Sequence, residues 1–394
     1  MEKLAWKENK KEERRVQTGR MFLAILISAF VLIGPYPAAA DPPVHFGPPV
    51  KVMTRNLYLG ADIFAVVKVG SPDLIPLAVA EKYAVMVQND FAERARAIAM
   101  EISEKNPDLI GCQEVARFTR LRPTGDPSVP LLPVEHYDYL ELLLDALQTC
   151  GLEYEVTAVG LNADTTLPMI QGIDASGNVH LDYVNYLDRD VILAKKGIVT
   201  ENAQAQGFSK NFSVAFSDTQ AVVFKRGFVA VDATVRGRAC RFVNAHVENE
   251  GLTAPDGTMV QQAQVAELMQ ELSQVDLPVL LVGDFNLPPS DPDYDAILGA
   301  GFTDLWASRT NGRHKNGSTC CQDEDLLNEE SVLTERIDYI FARHHNRSGV
   351  LNFHHPVIVQ LTGNDADEAK TESGLWPSDH AGVFAAIRLW NGRR

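Results

Sequence analysis

The chain has 394 residues, 45% of them hydrophobic, and a formal charge of −16 at neutral pH. That apolar content is ample for a large core. The acidic balance repels polyanions over a Debye length, which argues against tight non-specific DNA binding while leaving room for a nuclease with a local basic groove.

The first forty residues stand apart. A charged start (Lys10, Lys11, Arg14, Arg15, Arg20) precedes the apolar run Met21 to Gly34, and Ala38-Ala39-Ala40 precedes Asp41. This is the layout of a secretory signal over residues 1–40, with cleavage expected after Ala40. The run has 14 residues, short of the roughly 20 that cross a bilayer, so a retained anchor is the lesser reading. No cysteine follows it to carry a lipid. The expected location is secreted or periplasmic. Arg14-Arg15 alone is weak support for a twin-arginine route. Cleavage would remove seven basic and four acidic residues and take the formal charge to −19.

Residues 41–49 form a proline-rich lead-in, and a single catalytic domain is expected over 50–394. VKVMTRNLYL reads as the first strand. Residues 77–105 have helical spacing and composition, stopped by Asn106-Pro107. DLIGCQEV begins the next strand. Residues 119–136 read as a proline-broken loop, and YDYLELLLDALQTCG as a helix closed by Gly151. LEYEVTAVG is a strand. Residues 161–187 read as an insertion with turns at Asn162-Ala163-Asp164 and Ser176-Gly177-Asn178. DRDVILAKKG, AVVFKRGFVAVDATVRG and ACRFVNAHV are strands, and TMVQQAQVAELMQELSQ is a helix. LPVLLVGDFN is apolar throughout, hence a strand buried on both faces. SDPDYDAILGAG gives a short helix, residues 309–331 a polar loop, and RIDYIFARH, HHPVIVQLT and GVFAAIRLW the last strands. Strands and helices mix without strict alternation. That predicts an α/β domain of two packed sheets with helices outside, rather than one doubly wound sheet.

Six polar clusters sit at or near the ends of these apolar runs: Asn56, Glu114, His246, Asp284 with Asn286, Asp338, and Asp379 with His380. Cleaving a phosphate ester requires a cation, a positioned water and donors on the phosphate oxygens. Glu114 offers a hard anionic oxygen of the kind Mg²⁺ prefers, and Asn56 a neutral one. Taken alone, Asn56 would be a turn residue and Glu114 an exposed strand end. Asp284 and Asn286, two apart after a buried strand, point the same way if the strand geometry persists. Asp284 can hold the attacking water and Asn286 can donate to a phosphate oxygen. His246, as imidazolium, could protonate or bond a developing phosphate oxygen. Asp338 and His380 suggest a carboxylate–imidazole pair in which the aspartate fixes the tautomer. Asp379 could be a metal ligand. Asp188-Arg189-Asp190 could line the cleft, with Arg189 holding a phosphate or merely forming a surface ion pair.

With these motifs the chain resembles the endonuclease/exonuclease/phosphatase superfamily, which includes DNase I-like nucleases, neutral sphingomyelinases and inositol polyphosphate 5-phosphatases. GDFN and SDH are the most specific marks, followed by the QE and RIDYI segments, and the resemblance covers roughly residues 50–390. It implies a four-layer α/β/β/α sandwich of two mixed sheets with flanking helices. It also implies metal-dependent hydrolysis of phosphoric esters with Mg²⁺ (Mn²⁺ or Ca²⁺ as substitutes). In residues, it implies a metal site of Asn56, Glu114 and Asp379, and a catalytic set of His246, Asp284, Asn286, Asp338 and His380.

Within that class the acidic charge favours a small ester or a lipid head group. A membrane lipid surface is then a candidate partner, nucleic acid is disfavoured, and nothing calls for an obligate protein partner. The basic clusters Lys195-Lys196, Lys225-Arg226 and Arg236–Arg241 are small. Phe208, Phe212 and Phe216 at spacing four suit a helical stripe or a buried face. A binding protein on an inactive scaffold is the reading from another class, and would lack one of these residues. Of the five cysteines, Cys320 and Cys321 could bridge each other or pair elsewhere, and at least one of Cys112, Cys150, Cys240, Cys320 and Cys321 has no intramolecular partner. The chain has no CxxC pair to build a zinc site.

Overall fold

The computed structural model describes residues 48–215, 221–308, 317–344 and 358–389. The expected signal segment 1–40 and Phe216 lie outside the described residues. In chain order, strands β1 to β6 are Val50–Asn56, Leu109–Gln113, Arg117–Arg122, Leu132–Asp138, Tyr154–Ile173 and Val179–Lys195. Strands β7 to β12 are Val199–Gly207, Phe212–Ala215, Ala221–Phe224, Gly227–Val235, Arg238–His246 and Val279–Asp284. Strands β13 to β16 are Thr303–Asp304, Asp338–Arg343, Ile358–Thr362 and Gly382–Ile387. Helices α1 to α4 are Ile63–Val67, Ile75–Gln88, Phe91–Lys105 and Tyr139–Thr149, and α5 to α7 are Val260–Leu272, Pro292–Gly299 and Ala366–Ala369.

The first sheet runs β15-β16-β1-β2-β6-β3-β4, with β5 also paired to β6; the second runs β13-β14-β12-β11-β10-β7. Both are mixed: β1 pairs with β2 and β11 with β12 in parallel, while β16 and β14 join them antiparallel. The pleat sends alternate side chains to opposite faces. Thus Val52, Ile192, Leu280, Val282 and Ile340 meet between the sheets. Met53, Val191 and Leu193 meet α2, α3 and α4 on one outer face, and Val279, Leu281 and Phe341 meet α5 and α6 on the other. The result is the four-layer α/β/β/α sandwich. The sheets approach most closely at Gly111, where a Cβ would fall 2.6 Å from Val282 and 2.8 Å from Asn244. Among the described residues no helix is long and apolar enough to cross a membrane.

Three sequence expectations are corrected, and one open alternative is decided. The helix expected over 77–105 is two helices. Asp90 caps α3 through Glu93 N–H, and Asn89 Nδ2 donates to the carbonyls of Gly60 and Glu324 at 2.7 and 2.8 Å. Short polar side chains that compete with the helix backbone interrupt it there. The proline-broken loop 119–136 is confined to 123–131, its two ends belonging to β3 and β4, which pair. Pro133 is tolerated within β4 because β4 is an edge strand, where a missing N–H need cost no ladder bond. The insertion 161–187 is the long hairpin β5–β6, and Asn162 lies at a bulge within β5 rather than in a turn. Lastly, Phe208 packs against Phe228 with ring centroids 6.1 Å apart, whereas Phe212 packs on Phe64 and Phe224, so they share no helical face.

Candidate active site

Three neighbouring strands of the second sheet bring three site residues into one row. His246 ends β11 and pairs in register with Asp284 at the end of β12, which pairs in register with Asp338 at the start of β14. Gly283 makes the approach possible: its φ is +148° and a Cβ would lie 1.9 Å from the Ala245 carbonyl oxygen, so no other residue fits there. From the first sheet, Asn56 at the end of β1 donates from Nδ2 to Asp284 Oδ2 at 3.0 Å. Its Oδ1 accepts the Tyr58 N–H at 2.9 Å, so the local turn bond and the bond to Asp284 coexist.

Glu114 follows β2 and Asn286 follows β12, and both adopt the left-handed backbone region, with φ of +55° and +50°. Non-glycine residues held there mark local strain of the kind that gathers at functional sites. Glu114 Oε2 accepts the Leu59 N–H at 2.8 Å. Asn286 N–H donates to Asp284 Oδ1 at 3.0 Å, while its Nδ2 donates to the Val247 carbonyl.

Asp379 and His380 arrive on the loop before β16. His380 Nδ1 lies 2.8 Å from Asp338 Oδ2. Its Nε2 stands 3.9 Å from Asp284 Oδ2, Asp379 Oδ1 and Cys321 Sγ. Cys321 is joined to Cys320. Two buried arginines hold this loop to the first sheet. Arg55 donates to the His380 carbonyl and, at 2.9 Å, to Glu101. Arg94 donates to the carbonyls of Leu57, Tyr58, Asn89 and Pro377.

The electrostatics separate the two histidines. His380 would be held down by burial, but Asp338, Asp379 and Asp284 outweigh that and raise it well above the ordinary histidine range. His246 is fully buried, and burial followed by the Arg226 guanidinium lowers it to about 4. Arg226 Nη1 lies 3.2 Å from His246 Nδ1. Guanidinium can only donate, so Nδ1 accepts and the remaining proton sits on Nε2. His246 is therefore a neutral donor, not the imidazolium expected from the sequence. Its Nε2 is buried, has no hydrogen-bond partner among the described residues, and lies 3.8 Å from Asp284 Oδ2.

Arg226 also reaches Asp188 Oδ2 at 3.6 Å and Glu248 Oε1 at 3.8 Å. Asp188 and Asp190 share Asn162 Nδ2, and burial pushes both carboxyls up. Arg189 points away from them: its Nη2 donates to Asp138 Oδ1 at 2.6 Å and its Nε to the Val115 carbonyl. It is committed to the fold as a buried ion pair with Asp138 rather than a surface one. Across the two sheets, Gln113 Nε2 donates to Asn244 Oδ1 at 2.5 Å. Arg55, Arg94, Arg226, Gln113, Asn244 and Glu248 were given no site role from the sequence. Asn244 and His246, two apart at the end of β11, carried a period-two signal, with Glu248 two residues further on beyond the strand.

The donors fit a divalent cation. Asn56, Glu114 and Asp379 offer only oxygen, the choice of Mg²⁺, Mn²⁺ and Ca²⁺. Burial, with Glu114 and Asp284 adding to it against His380 and Arg94, holds the Asp379 carboxyl above the usual range. Asp188 Oδ1, Glu248 Oε2 and Asp338 Oδ1 are buried without hydrogen-bond partners among the described residues. Asp188 and Glu248 have the Arg226 guanidinium beside them and Asp338 has His380, whereas Asp379, raised by burial beside Glu114 and Asp284, is the carboxyl whose charged form a cation would restore. Among the described residues, donor atoms of Asp284, Asp338 and His380 lie within 4.8 Å of one another, as do those of Cys320, Cys321 and His380. Glu114 and Asp379 belong to neither triple. The 2.8 Å contact between Asp338 and His380 makes the first triple a hydrogen-bonded pair with Asp284 beside it.

A four-layer sandwich with carboxylates, amides and two histidines at the joined ends of its sheets defines a class of hydrolases that act on phosphoric esters. The chain belongs to the Endonuclease/Exonuclease/phosphatase family, whose pattern matches residues 86–380. That span holds every expected site residue except Asn56. Membership makes the protein an enzyme, a metal-dependent hydrolase of phosphoric esters. No curated protein matches the chain in sequence. Solved structures similar to it include an endonuclease/exonuclease/phosphatase family protein of Leptotrichia buccalis, 17% identical over 86% of this chain and 100% of that chain, with a TM-score of 0.46. The TDP2 of D. rerio complexed with single strand DNA product is 16% identical over 86% and 99%, with a TM-score of 0.46. A mannosyl-6-phosphatase of Bacteroides thetaiotaomicron is 16% identical over 85% and 98%, also at 0.46.

Proposed function

We propose that this chain is an exported, Mg²⁺-dependent phosphoesterase that directs water onto phosphorus in small esters or lipid head groups. The observation that carries the reading is the row His246–Asp284–Asp338 across adjacent strands, met by Asn56 and His380. Mg²⁺ held by Glu114, Asp379 and Asn56 would neutralise phosphate charge and favour deprotonation of water. Asp284, fixed by Asn56 Nδ2 and Asn286 N–H, each at 3.0 Å, keeps lone pairs to orient the attacking water. His380 Nε2 faces the same space, with Nδ1 anchored on Asp338, and exchanges the proton. His246 Nε2–H donates to the phosphate oxygen that gains charge, as does one N–H of Asn286.

A nuclease needs free basic side chains along a groove. Here Lys196 is paired with Glu153, Arg236 with Asp108 and Arg241 with Asp232, and Arg226 is buried against His246. These pairings and the net charge support the small-ester reading over the nuclease. The test is hydrolysis of bis-p-nitrophenyl phosphate, sphingomyelin and phosphatidylcholine vesicles, plasmid DNA and an inositol polyphosphate, with Mg²⁺ and with EDTA. We expect Mg²⁺-dependent turnover of an ester other than DNA, and a higher Mg²⁺ requirement in Glu114→Ala. DNA as the best substrate would overturn the substrate reading. An unchanged metal requirement would remove Glu114 from the metal site.

A further inference from the structure

The hairpin β5–β6 carries the first sheet past the active site, and α1, α2 and the hairpin β8–β9 close over it without filling the space beneath. What remains is an apolar pocket of about 620 Å³, counted out to its open mouth, walled by Val66, Val79, Leu167, Val184, Tyr186 and Phe224 among others. The one formally charged residue in its wall is Lys82, whose Nζ is taken by Glu324 at 2.6 Å. Protein interiors pack at crystal density and rarely leave such a space, because atoms facing a void forgo dispersion contacts. Its wall is almost all apolar side chain, the lining expected where a ligand's apolar part is bound.

Two wall residues join the pocket to the active site. Tyr186 stands two residues before Asp188 on β6, and residues two apart on a strand share a face. Phe224 ends β9, and Arg226, the guanidinium that reaches His246 and Asp188, follows in the short link to β10. The Tyr186 ring also stacks on Phe118 at 5.3 Å between centroids. Burial raises its hydroxyl well above the ordinary range, and Asp188 and Glu114 add to that, as expected of a ring standing between the pocket and the carboxylates. Along β6 one two-residue step leads from the Asp188 carboxylate to the Tyr186 ring in the pocket wall.

We infer that this pocket binds an alkyl chain esterified to the phosphate that the active site cleaves. The inference rests on the proposed function and narrows its substrate to phosphate esters with an apolar limb. The length of that limb, rather than the head group alone, then sets specificity. A soluble alkyl ester and a lipid share this chemistry, so the test uses both.

The experiment measures kcat/KM of the full chain with Mg²⁺ on monomeric methyl, butyl, hexyl and octyl p-nitrophenyl phosphates. A parallel arm compares dihexanoyl phosphatidylcholine below its micelle concentration with long-chain phosphatidylcholine vesicles. The expected result is a rise of about fourfold per methylene until the pocket is full. Two variants that fill the half-buried wall, Ala163→Trp and Thr165→Trp, should bring the long esters down toward the methyl ester while far-UV circular dichroism stays native. Two positions guard against one misfolding. Turnover of the monomeric lipid assigns the limb to single chains drawn from water, and turnover of vesicles alone assigns it to a lipid surface. A flat series with steady methyl-ester turnover overturns the pocket and leaves the hydrolase reading standing. So does a rise that survives in both variants. If no ester is turned over, the proposed function falls. Calorimetry with alkylphosphonates of the same lengths then decides the pocket: affinity that climbs with length and collapses in the variants supports it, and flat affinity overturns it.

Discussion

Asp284 gathers more of the site than any other side chain. Asn56 and Asn286 hold its two oxygens, and both histidines face Oδ2. Asp284→Asn and His380→Gln should each lower kcat by about 10²–10⁴ with circular dichroism unchanged; a wild-type rate in either would remove that residue from the chemistry. The histidines should titrate in opposite directions. In ¹⁵N spectra of the metal-free protein, His246 should stay neutral down to about pH 5 and His380 should stay charged through neutrality. Because the folded value of about 4 for His246 lies below the unfolded ~6.5, the folded state binds fewer protons. Its contribution is complete above pH 6.5 and is lost as pH falls toward 4, up to about 3 kcal/mol. Urea unfolding of wild type and His246→Gln at pH 7 and 4.5 reads this: the wild-type advantage should shrink at the lower pH. The six clusters were legible because each sits where an apolar run ends. Arg226, which adds to burial in keeping His246 neutral, was not, since its partners Asp188, His246 and Glu248 come from two other segments of the chain. Arg189, the arginine the sequence did single out, turned the other way because period two sends it to the opposite face from Asp188 and Asp190.

The elements deliver these side chains through braces that do no chemistry. Arg94 sits on the buried face of α3, where its neighbours Ala95, Ile98 and Ala99 belong to the core. Its guanidinium serves four carbonyls from the loops after β1, after α2 and before Asp379. Arg94→Met would leave those carbonyls buried without a donor. A loss of about 3–5 kcal/mol is expected in denaturant unfolding, together with weaker Mg²⁺ activation because the loops of Asn56 and Asp379 lose their common tie. A loss of stability with no change in Mg²⁺ activation would confine Arg94 to the core. Strands with strong apolar runs, β2, β11, β12 and β14, were readable. β3 and β4 were not, since β4 is an edge strand that tolerates Pro133, and β3 beside it is half-exposed with arginines at Arg117, Arg120 and Arg122. The break between α2 and α3 depends on what Asn89 and Asp90 bond, and half of those partners lie far away in sequence.

At the scale of the whole molecule, the crowded carboxylates predict that the metal-free protein is electrostatically strained. Mg²⁺ at about 100 times its Kd should add about 2.7 kcal/mol, a rise in Tm of about 4 °C for a domain of this size. Asp379→Asn should melt above wild type in EDTA and gain less from Mg²⁺. Equal gains in both would place the ion elsewhere. The two-sheet architecture was legible from the mixed order of strands and helices. The apolar pocket was not, because it is a gap left by α1, α2 and two hairpins, and a gap has no residues of its own.

The strand order carries one consequence for the newly made chain. β1, which bears Asn56, lies between β2 and β16, the last strand of the fold. While the ribosome is still at work, one edge of β1 has no partner and the loop bearing Asp379 and His380 has not yet been synthesised. A nascent chain can lay down the whole second sheet and remain inert. Activity should switch on only after β16 has been made and pairs with β1, so a chain stalled short of β16 should lack turnover.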